Sequence, residues 1–384
     1  MSILFQGTNK EINSSINFTY SPNDSSGLSV QKPNISLGTK AGFTGQGDKS
    51  IAIGFHSGST EQNINSISIG HNSGITGQGT GSVAIGHLSG STSQGSNCVT
   101  IGSNSGSIEQ GNSSISIGEN SGTISQKNNS ISIGKNSGYD NQNIYSIAIG
   151  KDSGKDRQES YSIAIGLESG TYYQSSGCIS IGTSSGATSQ GENSIAIGNY
   201  SGKINQGTGS VAIGNESGSI DQMNNSVAIG NFCGNVSQSD SCVAIGVNSG
   251  QTGQGWGSVA IGRGSGQINQ LTNSIAIGRD AAQYDQKTWS LALGIRAGQT
   301  SQGEQSTAIG GLAGAYKQGD NSLAIGRRAG YTSQGAGCLA IGQFSGEYSQ
   351  GTGSFAVGQY SGQTSQGDNC FAVGQSSGAD NQGN

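Results

Sequence analysis

Charge and proline are what this chain most lacks: charged residues make up 10% of its 384 positions, and there are 2 prolines. So little charge sets it apart from charge-driven disordered chains, and 31% hydrophobic residues is low for an ordinary globular domain. The near-absence of proline, with glycine not falling at every third position, excludes a collagen helix despite 69 glycines. Lys and Arg number 17 against 22 Asp and Glu, and no basic stripe is interleaved with aromatic residues, so nucleic acid is not an expected partner. No apolar run approaches the ~20 residues of a membrane-spanning helix, so no membrane insertion is expected. The opening "MSILFQGTNK" has too short an apolar core for a secretory signal, which predicts synthesis and folding in a cytosol.

What fills the chain instead is one sentence repeated. A glycine closes the motif "IAIG" at Gly38, Gly54, Gly70 and onward to Gly374 in steps of 16, giving 22 copies, and a glutamine stands eight residues after each, from Gln46, Gln62 and Gln78 through Gln206 and Gln222 to Gln382. No insertion breaks the register. A fixed short period implies a stack of like units sharing one core, which overrules the two or three domains that length alone suggests. Periodic apolar positions also rule out a flexible Gly/Ser linker.

Within each repeat, "S-I-A-I-G" alternates with the two-residue period of a strand. Two apolar residues in 16, with glycine nearby, are too few for an amphipathic helix. The alternation sets Ile51 and Ile53, with Ile67, Ile69, Ile195 and Ile197 in other copies, on one face, expected to be the core. Ser50 and Ala52, with Ser194 and Ala196, then occupy the other face, small, flat and expected to meet neighbouring subunits. A glycine-bearing corner follows, as at Ser57-Gly58. A second short run comes next, in which the Thr44 and Gln46 phases are expected to point inward, or into a subunit contact, and the Phe43 and Gly45 phases outward.

Two short strands and two turns in 16 residues describe one coil of an all-β, parallel β-solenoid, or β-roll, of 22 coils. At about 4.7–4.9 Å between strands, such a stack is a rod on the order of 105 Å long. Identical phases stack directly, so the glutamines are expected to form a structural column whose amides hydrogen-bond up and down. The coil array spans residues 34–384; residues 1–33 carry "SILFQG", "SINFTY" and "GLSVQK" and are expected to be an N-terminal cap or docking segment.

"NSVAIG" (Asn225 to Gly230), "GSVAIG" (Gly81 to Gly86) and "NSIAIG" (Asn193 to Gly198) resemble the head repeat of the YadA-like trimeric autotransporter adhesins, over residues 34–384. Similar repeats look at home in virion fibre proteins. The resemblance implies a left-handed roll, homotrimeric about an axis, on a cell-surface or host-binding fibre. This chain departs from those heads in its longer period and glutamine column, and a coiled-coil stalk or membrane barrel is not expected.

Five of the six cysteines share the Ser50 phase and read as small serine substitutes; Cys178 and Cys242 are the candidates for inter-subunit thiols. His71 and His87 share a phase on adjacent coils, but no Cys, Asp or Glu ligand pattern accompanies them, so no metal or other cofactor is expected. No nucleophile, base and orienter recur at a useful spacing, and no enzyme is expected. The leading expectation is a structural protein that self-associates as a fibre or filament, with residues 1–33 covering the open end of the next molecule. An adhesin, gripping a host surface or glycan through residues such as Phe55-His56 and Asn199-Tyr200, is the alternative, although its aromatics look scattered. Ice binding through Thr44, Thr60, Thr76 and Thr92 ranks last, because Ile and Tyr interrupt that column.

Overall fold

The computed structural model describes residues 34–383, all of it strand, turn and connecting backbone with no helix. The expected cap at 1–33 lies outside the described residues. The fold is an all-β parallel β-solenoid of about 21 turns at the 16-residue spacing. The chain divides into two units, one ending at Tyr172 and one beginning at Tyr173, built alike.

Each turn contributes two three-residue strands. In the first unit, Ile51–Ile53 pairs in parallel with Ile67–Ile69, matching Ile51 with Ile67, Ala52 with Ser68 and Ile53 with Ile69. The second strands, such as Thr60–Gln62 and Thr76–Gln78, pair in the same way, Gln62 against Gln78. In the second unit Ile195–Ile197 pairs with Val211–Ile213, and Ile204–Gln206 with Ile220–Gln222. β-Branched residues at both ends of the first strand suit a pleated, half-buried surface.

The corners are fixed by backbone that few residues accept. Gly54 has φ +124°, and a Cβ there would lie 2.5 Å from the Gly70 carbonyl oxygen. Gly58 has φ +52°, and a Cβ would meet Gln62 Oε1 at 2.5 Å. Three further phases are left-handed in nearly every turn, as at His56 (φ 53°), Glu61 (φ 55°) and Asn65 (φ 58°). Asn and Asp recur at these phases because their short polar side chains tolerate that region.

Burial reverses the expected faces. Ser50, Ala52, Ser194 and Ala196 are 0% exposed and form the interior, so they are not a subunit-contact face. Ile51, Ile53, Ile67, Ile69, Ile195 and Ile197 are only half-buried and point outward, so they are not the core. Alternation separates two faces without saying which one is inside. Volume decides it: each coil must also hold Gln62 and its equivalents, which are among the largest fully buried side chains, and beside a glutamine there is room for Ser and Ala but not for two branched chains.

The second strand departs from expectation for another reason. Its middle residue, Glu61 or Asn205, is left-handed, so alternation fails across it. The Thr44 phase is consequently exposed at Ile108, Ile220 and Tyr284, while the phase of Phe43, expected outward, is buried at Ser59, Ser91, Ser219 and Ala315.

Candidate interaction surface

Each turn builds its interior around the glutamine. Gln62 Nε2 donates across the coil to the Ile51 carbonyl at 2.8 Å, as Gln206 does to Ile195 (2.8 Å) and Gln222 to Val211 (3.0 Å). The amides also donate along the column, Gln206 to Gln222 Oε1 at 3.2 Å, in an unbroken series from Gln174 to Gln302. In the first unit the series runs from Gln110 to Gln158. Further rungs join Gln334 to Gln350 at 3.2 Å and Gln366 to Gln382 at 3.3 Å, whereas the Oε1 atoms of Gln62, Gln78 and Gln94 are buried without a partner and Gln94 donates to Thr100 Oγ1. At the outermost described turns, Gln46 accepts from Ser36 Oγ at 2.6 Å and Gln382 donates to the Phe371 carbonyl at 3.0 Å.

Filling the inside with polar and small side chains sends the aliphatic residues out. Two columns result, one through Ile51 and one through Ile53. In the first unit, from Ile35 to Ile163 and from Leu37 to Ile165, every member is Ile, Val or Leu. In the second, from Ile179 to Phe371 and from Ile181 to Val373, the sole polar member is Thr307. Ile181, Ile275 and Leu293 are 37–41% exposed. A continuous apolar stripe of this kind marks an interaction surface.

Aromatic rings also stack, Phe355 on Phe371 at 4.9 Å within the stripe and others on the corners and second strands. Phe55 stacks on His71 at 5.2 Å and His71 on His87 at 5.3 Å; Tyr145 stacks on Tyr161 at 5.3 Å; Phe344 stacks on Tyr360 at 5.1 Å. These rings are clustered, not scattered as the linear sequence suggests. Their signal was in the text all along: partners stand 16 apart, one turn.

Comparison with protein families follows the same geometry. The YadA head domain repeat matches twice, at residues 179–201 and 301–329, both inside the regular coil array. The repeat is YadA-like. No curated protein and no solved structure matches the chain.

Within this YadA-like repeat the cysteines have no outward role. Cys178 and Cys242 are 0% exposed, and their thiols donate inward to the carbonyls of Gly191 (2.8 Å) and Gly255 (2.9 Å), so they are not placed to join subunits. Burial pushes both thiols above the usual cysteine range. His71 and His87 belong to a ring stack, and among the described residues no three His, Cys, Asp or Glu side chains come together as a metal site.

Proposed function

We propose that the chain is a rigid fibre segment that assembles with copies of itself through the Ile51/Ile53 stripe, as a homotrimer of the YadA-like kind. The stripe is the observation that carries this. Completing the burial of a side chain that is already half-covered contributes roughly 0.5–1 kcal/mol. With two per turn, about twelve turns reach on the order of 12–24 kcal/mol, which exceeds the ~4–15 kcal/mol cost of association. Only a partner with the same rise per turn meets the stripe rung for rung, and another copy of this chain has it. Its role is mechanical rather than catalytic.

Sedimentation equilibrium of the full chain tests this directly. A mass three times that of the 38.5 kDa chain is expected, and Ile197→Glu combined with Ile213→Glu should lower it. A monomer at micromolar concentration would remove the proposal. End-to-end joining through residues 1–33 is a separate reading, tested by deleting them and examining filament length by electron microscopy.

An adhesive surface is the second reading, favoured by the ring stacks on the corners, such as Phe55 on His71 and Tyr145 on Tyr161. YadA-like adhesins are surface-exposed, which is consistent with an extracellular location, on a cell appendage or a virion fibre.

A further inference from the structure

Between Tyr316 and Gln363, on second strands and the corners that lead to them, rings and guanidinium groups converge. Tyr331 lies edge-on to Tyr316 at 5.3 Å and to Tyr348 at 6.3 Å between centroids. The Arg328 guanidinium covers Tyr331 at 4.4 Å, donates through Nη2 to the Tyr348 hydroxyl at 3.1 Å and pairs with Glu347 at 2.9 Å. Alongside, Phe344 and Tyr360 stack with 5° between their planes, and Arg327 lies over Phe344 at 5.3 Å.

The two arginines have different duties. Glu347 is 2% exposed, and its second oxygen accepts from Gln363 at 2.8 Å, so this carboxylate is consumed in fixing Arg328. Arg327 is exposed and has no carboxylate within ion-pair reach among the described residues. A charge held over a ring and left unneutralised is available to an anion.

Arg328, Phe344 and Tyr360 share a left-handed phase of the repeat (φ 58°, 60° and 56°), which His56, Leu88 and Arg296 also occupy in other turns. Tyr316 and Tyr348 lie on second strands whose Gln318 and Gln350 reach through the interior to the carbonyls of Thr307 and Leu339 on the stripe strands, which puts these two rings on the wall away from the stripe.

We propose that this surface binds an acidic glycan, with sugar rings laid against Tyr316 and Tyr348 and a sulfate or carboxylate held by Arg327, which Phe344 supports from beneath. The C–H face of a pyranose suits an exposed ring, and a guanidinium fork matches a planar carboxylate or a sulfate. A nucleic acid would call for several phosphate contacts, and one free guanidinium does not supply them. A peptide strand would need an unpaired sheet edge, and both strands of each of these turns are paired on either side. Turns spaced about 4.8 Å apart let an extended chain touch several of them. The inference deepens the adhesive reading and rests on it, and owes nothing to self-association.

Titration of the full-length protein with a heparin oligosaccharide, with hyaluronan and with dextran, by calorimetry at two salt concentrations, tests it. Binding of one or both acidic glycans, weakened by salt, and none of dextran is expected. Arg327→Gln should weaken it about tenfold or more. Phe344→Asn removes the ring beneath Arg327 while suiting the left-handed backbone, so it should weaken binding with folding intact by circular dichroism. Binding retained within about twofold by both variants would leave an adhesive fibre with its ligand site elsewhere and overturn the assignment. Failure to bind either acidic glycan, or equal binding of dextran, would overturn the ligand class. A failure of self-association would appear in sedimentation alone.

Discussion

Gln62 and Ile51 stand on opposite walls of the same coil and are joined by a 2.8 Å hydrogen bond from the amide Nε2 to the backbone carbonyl. That bond ties the two sheets together from inside, where a hydrophobic core would ordinarily do so. It costs little because the amide finds acceptors at the depth where water is absent. It also explains why the glutamine is kept in every copy while its outward neighbours change.

Removing the amide should therefore hurt most where it does most. Gln206 donates to Ile195, to Ser210 and to Gln222, and accepts from Gln190. Gln206→Ala leaves a cavity and strands a buried acceptor, Gln222 Oε1, and about 3 kcal/mol of destabilisation is expected. Gln62, whose Oε1 has no partner, should cost about 1 kcal/mol less on the same substitution. Hydrogen exchange of the surrounding turns is the better readout, since a solenoid loses structure locally before it unfolds as a whole.

Two glycines predict opposite outcomes. At Gly198 the φ is +130° and a Cβ would sit 2.3 Å from the Gly214 carbonyl oxygen, so Gly198→Ala should lower stability by about 3 kcal/mol or more. At Gly311 nothing lies within 4 Å of the added atom and φ is not positive, so Gly311→Ala should stay within about 0.5 kcal/mol of the parent. Thermal midpoints of the two variants settle the comparison; equal losses would mean that close stacking of the corner backbones is not what keeps Gly198.

The period, the strand count and the parallel register could all be read from residues such as Gly54, Gly70 and Gln62, because a stack of identical units repeats its spacing in the text. The sidedness could not. Hydrophobicity argued for Ile51 inside and Ala52 outside, yet the space left by Gln62 admits only the smaller residue. The second strand was misread where Glu61 turns left-handed, since nothing about a glutamate announces that backbone. The Tyr316, Tyr331 and Tyr348 cluster was hidden because its members are 15 and 17 apart and come together only once adjacent phases are known to share a corner.

The reversed faces make a direct test. Ala196→Val adds volume to a filled interior and should destabilise each chain by about 1–3 kcal/mol while leaving the assembled mass unchanged in the folded fraction. Ile197→Ser, on the half-exposed column, should alter the fold of the single chain little and weaken self-association instead. Denaturation and sedimentation measured on both variants separate the two effects. If Ile197→Ser were the one to unfold the chain and Ala196→Val the one to disperse it, the stripe would be the core after all.

The buried thiols make the solenoid turns sensitive to alkali. Burial is the largest influence on Cys98, Cys178, Cys233, Cys242 and Cys338 and raises the pKa of each. A raised folded-state pKa means that the neutral thiol is favoured by folding, so its contribution is complete below the unfolded thiol's pKa. It is lost as pH climbs through the folded value, because the unfolded chain then sheds protons that the folded chain retains. Stability should thus be level through neutral pH and fall above about pH 8.5, the range in which free cysteine ionises. Replacing all five with serine, the residue that fills the same phases in most other turns, should flatten that fall. The same burial predicts that a maleimide at pH 8 leaves these thiols unlabelled until denaturant is added. Rapid labelling of the native protein at Cys178 or Cys242 would mean that the coil opens there, and would return those two residues to the surface that their sequence phase first suggested.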